Sequence, residues 1–108
     1  MEIKQTQNEV KQLMKVVNGK HRFPYPNIMS VLKAYEEMGE LTQLIIESTV
    51  KSRKGGKLKI DDIKGEIGDE LADLFIVILG LANDYDIQLE EHIRKKMKKH
   101  LERWTKVE

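Results

Sequence analysis

Two short acidic runs stand inside segments otherwise apolar enough to build a core: EEMGEL, Glu36 to Leu41, and DELADLF, Asp69 to Phe75. On a helix of 3.6 residues per turn, Glu37 and Glu40 lie within about 100° of Leu41 and Leu44, so the two acids share a face with leucines. In the second segment Glu66, Glu70, Asp73 and Val77 follow at helical intervals beside Leu74 and Leu81, with Asp69 at the margin. Burying a lone carboxylate costs on the order of several kcal/mol, and crowding acids together raises their pKa values further. A divalent cation would relieve both penalties. Donor sets made only of carboxylate oxygens select hard ions, Mg²⁺, Mn²⁺ or Ca²⁺, over zinc or copper. Each acid pair alone reads first as solvated helix surface, because Glu favours helices and faces water. Two inward pairs on neighbouring helices point to a site.

The elements that must position these acids are all helical. Val10, Leu13, Met14 and Val17 repeat at the helical period, Thr6 and Glu9 form a candidate capping box, and Gly19 is a candidate stop. Both prolines fall in HRFPYPN, an extended connection whose Asn27 can cap a second helix running to about Val50. The segment from Lys51 to Lys59 carries Gly55-Gly56 and five basic residues and reads as a loop. Asp61 or Asp62 can cap a third helix ending near Asn83 to Asp86, and a short turn leads to a fourth through Leu89, Ile93, Met97, Leu101 and Trp104. The expected fold is all-α: one domain over residues 1–108, an antiparallel four-helix bundle completed by oligomerisation.

Composition narrows the function classes. Nineteen basic residues against eighteen acidic ones give a net charge of +1, so no bulk charge calls for nucleic acid or an anionic membrane. The absence of Cys excludes disulfides, thiolate metal sites and a Cys nucleophile. With a polar N-terminus and no long apolar run, the expectation is a cytoplasmic protein that binds no membrane and no nucleic acid. A di-iron carboxylate bundle needs Glu-x-x-His pairs, and none of His21, His92 or His100 has an acid three residues before it.

Glu37-x-x-Glu40 followed by Glu70-x-x-Asp73, within EEMGEL and DELADLFIVILGLA, resembles the MazG-type all-α nucleoside triphosphate pyrophosphohydrolases, relatives of dCTP pyrophosphatase and dimeric dUTPase. The resemblance runs from about Ile28 to Trp104. It implies hydrolysis of a nucleoside triphosphate between the α and β phosphates, Mg²⁺ (with Mn²⁺ possible) held by Glu37, Glu40, Glu70 and Asp73, and association into a homodimer or homotetramer. Glu66-x-x-Asp69 is a rival register. Glu70/Asp73 is preferred because the family's second motif runs directly into an apolar helix, as Asp73-Leu-Phe-Ile-Val does. Glu66 is then left either to stand behind the metal ligands or to position water. The family's phosphate contacts from its last helix map onto Lys96 and His100, with Lys99 and Arg103 a turn on; His100 stands where relatives often carry Asn or Arg. Val77 stands where relatives often carry Tyr or Trp near the base. His21, Arg22, Phe23 and Tyr25 are candidates for stacking on a base, and the basic loop for closing over a triphosphate. The resemblance suggests house-cleaning of aberrant nucleotides. The alternative is a catalytically silent helical binding or regulatory module, which gains nothing from Mg²⁺.

Overall fold

In a computed structural model of the chain, described over residues 2–20, 27–53 and 60–105 (side chains 18–20, 27, 50–53 and 60–62 excepted), four helices follow one another. They are α1 (Ile3–Lys20), α2 (Asn27–Arg53), α3 (Ile60–Asp84) and α4 (Leu89–Thr105). The all-α expectation holds. Three boundaries move outward. Helix α1 starts ahead of Thr6, whose amide and hydroxyl both donate to the Glu2 carbonyl, at 3.0 and 3.1 Å, so Thr6 lies within the first turn and is no cap. Helix α2 continues to Arg53, beyond Val50, and α3 already contains Ile60, ahead of Asp61 and Asp62. The capping side chain of Asn27, the residues His21 to Tyr25 and most of the basic loop lie outside the described residues.

The dominant packing is between α2 and α3. Among the residues withdrawn from solvent, one series on α2 is Ser30, Ala34, Glu37, Leu41, Leu44 and Ser48, and one on α3 is Ile63, Ile67, Glu70, Leu74, Val77 and Leu81. Both series alternate steps of four and three, the spacing that keeps one seam facing a neighbouring helix. The seam is antiparallel, Glu37 meeting Glu70 and Asp73 while Ser30 approaches Gly80. Aliphatic layers therefore enclose a pair of acids. Helix α1 lies antiparallel on α3, with Val10 buried and its Cγ1 only 3.9 Å from where a Cβ on Gly80 would stand, and with Leu79 fully buried.

The turn into α4 ends α3 with a Schellman motif. Ile87 N donates to Ala82 O at 2.9 Å and Asp86 N to Asn83 O at 3.1 Å, while Asp86 takes φ of 54°, a left-handed conformation that a short polar side chain tolerates. Gln7, 4% exposed, grips this turn: its Nε2 donates to Asn83 Oδ1 at 3.0 Å and to Ile87 O at 2.6 Å, and its Oε1 accepts from Leu89 N, the first amide of α4. Asn83 Nδ2 returns a bond to Gln7 O. In the other direction, the buried Glu90 accepts from Lys4 N in the first turn of α1. Each helix thus caps the start of the other.

Beyond that anchorage α4 stands apart. Its main contact is with α1, not with the α2–α3 pair. The radius of gyration is 17.8 Å, against about 13 Å for a compact domain of this length. Large apolar side chains remain exposed in two rows. One runs along the outside of α2 through Ile28, Leu32, Tyr35 and Ile46; the other runs along α3 through Leu71, Phe75 and Ile78.

Replacing Gln7 by Leu takes the partners from Ile87 O, Leu89 N and Asn83 Oδ1 in a part-buried setting, while the bond from Asn83 Nδ2 to the residue 7 carbonyl remains. We expect a loss of about 2 kcal/mol in urea unfolding at fixed protein concentration. An unchanged midpoint would show that the clamp is not structural.

Candidate metal centre

Glu37 reaches the interior because it occupies a seam position one heptad from Leu44, and Glu70 because it stands between Ile67 and Leu74. Asp73, one turn beyond Glu70, is exposed at the seam's edge. Carboxylate oxygens of Glu37, Glu70 and Asp73 lie within 4.8 Å of one another. Glu37 is 4% exposed. With both seam acids ionised, Glu37 Oε2 and Glu70 Oε2 are shut off from solvent and meet no hydrogen-bond donor among the described residues.

The electrostatics record that conflict. The pKa of Glu70 is pushed up to about 7, first by its hydrogen bond with Glu37, then by burial, then by Glu40. Glu37 is held below the usual carboxylate range, first by the same hydrogen bond, in which it accepts, and also by Lys33, while burial pulls the other way. Without a cation, a proton on Glu70 relieves the pair below about pH 7. Lys33 Nζ stands 3.2 Å from Glu37 Oε1 and 3.3 Å from Glu36 Oε1, and these contacts raise the lysine's pKa, Glu37 contributing most.

The trio fits a hard divalent ion. Octahedral Mg²⁺ with bonds of about 2.1 Å sets its ligand oxygens about 3 to 4.2 Å apart, a spacing the trio reaches by a slight closure. An ion held by these three residues would relieve the crowding that leaves the buried oxygens without a partner.

Two hollows flank the trio. Toward the C-terminal half of α2, an open groove of about 650 Å³ is walled by Glu36, Glu40, Glu47, Glu66, Asp69 and Glu70, together with Gly39, Gln43 and Leu44. The opposite hollow, a cavity of about 250 Å³, is mostly apolar: Met14 and Val17 of α1, Ile76, Val77 and Gly80 of α3, with Ser30 and Lys33 from α2. Lys33 lines this cavity and touches the trio, so the cavity adjoins the acids.

Of the acids singled out in the sequence, the structure joins Glu37, Glu70 and Asp73 most tightly. Glu40 stands on the groove wall, near enough to Glu70 to raise its pKa. Glu66 and Asp69, the rival register, belong to the same wall. The basic residues Lys96, Lys99, His100 and Arg103 are exposed on α4, a helix that does not pack along α2 or α3, so a single chain does not gather them at the trio. Sequence reasoning passed over Lys33; its signal was the spacing Lys33-x-x-x-Glu37, a helical ion pair beside a seam acid. The contribution of α1 to the cavity left no motif to find.

A raised carboxyl pKa favours the metal-free fold below the ordinary value of 4.5, and that contribution is lost as pH rises through about 7. Glu37 acts oppositely, its share being lost as pH falls. In EDTA, the melting temperature should therefore drop as pH passes from about 6 to about 8, and Glu70→Gln should flatten that step. Mn²⁺ should raise the melting temperature more at the higher pH, where no proton has to leave first. A metal shift that is independent of pH would contradict the proton on Glu70.

In comparisons with curated proteins and with solved structures, nothing matches the chain. A family model does, over residues 27–107, which takes in α2, α3, α4 and every acid of the trio and leaves α1 outside: by that match the chain belongs to the MazG nucleotide pyrophosphohydrolase family.

Proposed function

We propose that the chain is a Mg²⁺-dependent pyrophosphohydrolase that cleaves nucleoside or deoxynucleoside triphosphates between the α and β phosphates, releasing a monophosphate and pyrophosphate. The observation that carries this reading is the buried Glu37–Glu70 contact beside Asp73, an arrangement that lacks a cation's worth of compensation and sits in the matched family span.

Glu37, Glu70 and Asp73 hold the ion, and Glu40 completes the donor set from the groove wall. When bound, the ion neutralises phosphate oxygens and makes a coordinated water more acidic. Glu66, which also faces the groove, orients the attacking water in line with the phosphorus. The apolar cavity closed by Met14, Val17 and Val77 takes the nucleoside, while the polyphosphate lies toward the open groove. Lys96, Lys99, His100 and Arg103 contact the phosphates. A homodimer or homotetramer is the working form, supported by the apolar rows left exposed on α2 and α3. We place the enzyme in the cytoplasm, in keeping with a sequence without Cys, where removal of aberrant nucleotides is a suitable task. None of the described helices is long and apolar enough to cross a membrane.

The test is pyrophosphate release from a panel of canonical and modified nucleoside triphosphates with Mg²⁺ and with EDTA. Glu37→Gln and Asp73→Asn should each lower kcat/KM at least about a hundredfold, with far-UV circular dichroism unchanged. Full activity in both variants would remove the ligand assignment. No turnover together with no metal-induced stabilisation would return the protein to a silent helical module.

A further inference from the structure

The cavity between α1, α2 and α3 is apolar except at one point. Met14 and Val17 of α1, with Ile76, Val77 and Gly80 of α3, line it with aliphatic groups, a thioether and bare backbone, and α2 adds Ser30 and Lys33. Lys33 is engaged by Glu36 and Glu37, which leaves Ser30 as the polar side chain that can meet a ligand among the described lining residues. Ser30 is 6% exposed, and its hydroxyl makes no hydrogen bond among the described residues. An unpartnered hydroxyl inside a fold is destabilising. Alanine would let α2 and α3 approach as closely and would favour the helix more, so close packing alone does not account for a serine here.

Placement along the helix sets what this hydroxyl can read. Ser30 stands seven residues before Glu37, about 10.5 Å of helical rise. That is roughly the reach of a nucleoside from its 5′ oxygen to the far edge of its base. With the phosphates beside the acids, the sugar passes Lys33 and the far edge of the ring arrives at Ser30. Gly80 lines the same end of the cavity, and a Cβ there would touch only Val10 Cγ1, at 3.9 Å, an ordinary contact. Space for a small apolar group is therefore left beside the hydroxyl. The lining suits a ring whose far edge carries one hydrogen-bonding group with an apolar substituent next to it. Among nucleobases that is a 5-methylpyrimidine, in which the methyl group on C5 adjoins the oxygen or amino group on C4.

We infer that the cavity selects 5-methylpyrimidine nucleotides, the Ser30 hydroxyl bonding the exocyclic group on C4 while the methyl group fills the gap at Gly80 against Met14 and Val17. A hydroxyl both donates and accepts, so it serves the oxygen of thymine and the amino group of 5-methylcytosine alike. Discrimination then comes from the methyl group, and one such group in an apolar pocket changes affinity by about tenfold or more. The inference deepens the proposed function and takes from it the identity of the ligand as a nucleotide.

The test reads binding, by calorimetry in Mg²⁺, of α,β-imido analogues that cannot be cleaved at that position. The dTTP analogue should bind about tenfold more tightly than the dUTP analogue, and the 5-methyl-dCTP analogue than the dCTP analogue. Ser30→Ala should weaken the dTTP analogue about tenfold, yet leave unchanged the binding of the corresponding 5-methyl-2-pyrimidinone nucleotide, which has no group on C4. Gly80→Ala should raise the melting temperature, because alanine replaces glycine inside a helix, while bringing the dTTP to dUTP affinity ratio toward one. Lost selectivity with gained stability separates a filled pocket from a damaged fold. Equal affinity for methylated and unmethylated analogues, an equal Ser30→Ala penalty on the ring without a C4 group, or no binding of any analogue would overturn the inference. Selective binding by a chain that hydrolyses no triphosphate would leave it standing and remove the enzymatic reading; turnover without preference for the methyl group would do the reverse.

Discussion

The contact between Glu37 and Glu70 is the constraint around which the rest of the molecule is arranged. Two carboxylates meet in a helix seam whose other positions are mostly aliphatic, and with both ionised their inner oxygens meet no donor among the described residues. Such a pair is unfavourable unless a proton or a cation stands between the groups. The seam holds it in place because Leu41 and Leu44 on one helix, and Leu74, Val77 and Leu81 on the other, fix the register on both sides of the acids. Sliding by one residue would take every aliphatic layer out of the seam. The fold therefore supplies the rigidity that a metal site needs, and the unfavourable pair is held by packing distributed along the whole length of α2 and α3.

Helix α1 belongs to the site more than its sequence reveals. It lies outside the matched family span, yet Met14 and Val17 close the apolar side of the hollow beside the trio. What keeps it there is a short list of polar contacts: Gln7 on the α3–α4 turn, Asn83 returning a bond, and Glu90 on the first turn of α1. The same contacts orient α4. A polar clamp at one end of the molecule thus sets both the wall of the cavity and the departure angle of the basic helix, although none of its members approaches the acids.

Much of this was legible in the sequence, and the parts that were not have identifiable causes. Four helices followed from apolar periodicity, which tracks burial directly. The inward position of Glu37 and Glu70 followed from the leucines sharing their face, and the structure finds both withdrawn from solvent. Helix starts were misplaced because Thr6 has the composition of a cap while its hydroxyl bonds back to Glu2 O from inside the first turn. Polar residues serve both purposes, and only the backbone decides between them. Glu40 and Asp73 carry the same helical phase relations as the buried acids, yet both are exposed, because phase fixes a direction and not a depth. The departure of α4 was hidden for a related reason: an amphipathic helix announces that it needs a partner without saying which chain provides it.

A net charge of +1 conceals a strong segregation, and that segregation links the exposed apolar surface to the chemistry. Acids concentrate along the groove between α2 and α3, whereas lysines and arginines concentrate on α4. Within one chain the two sets do not neutralise each other, because the clamp at Gln7 and Glu90 fastens α4 to α1 and away from the groove. Apolar rows on both α2 and α4 remain uncovered by the same circumstance. The seam fixes α2 and α3 and the clamp fixes α4, so the same packing that builds the fold keeps the acidic groove and the basic helix apart within one chain.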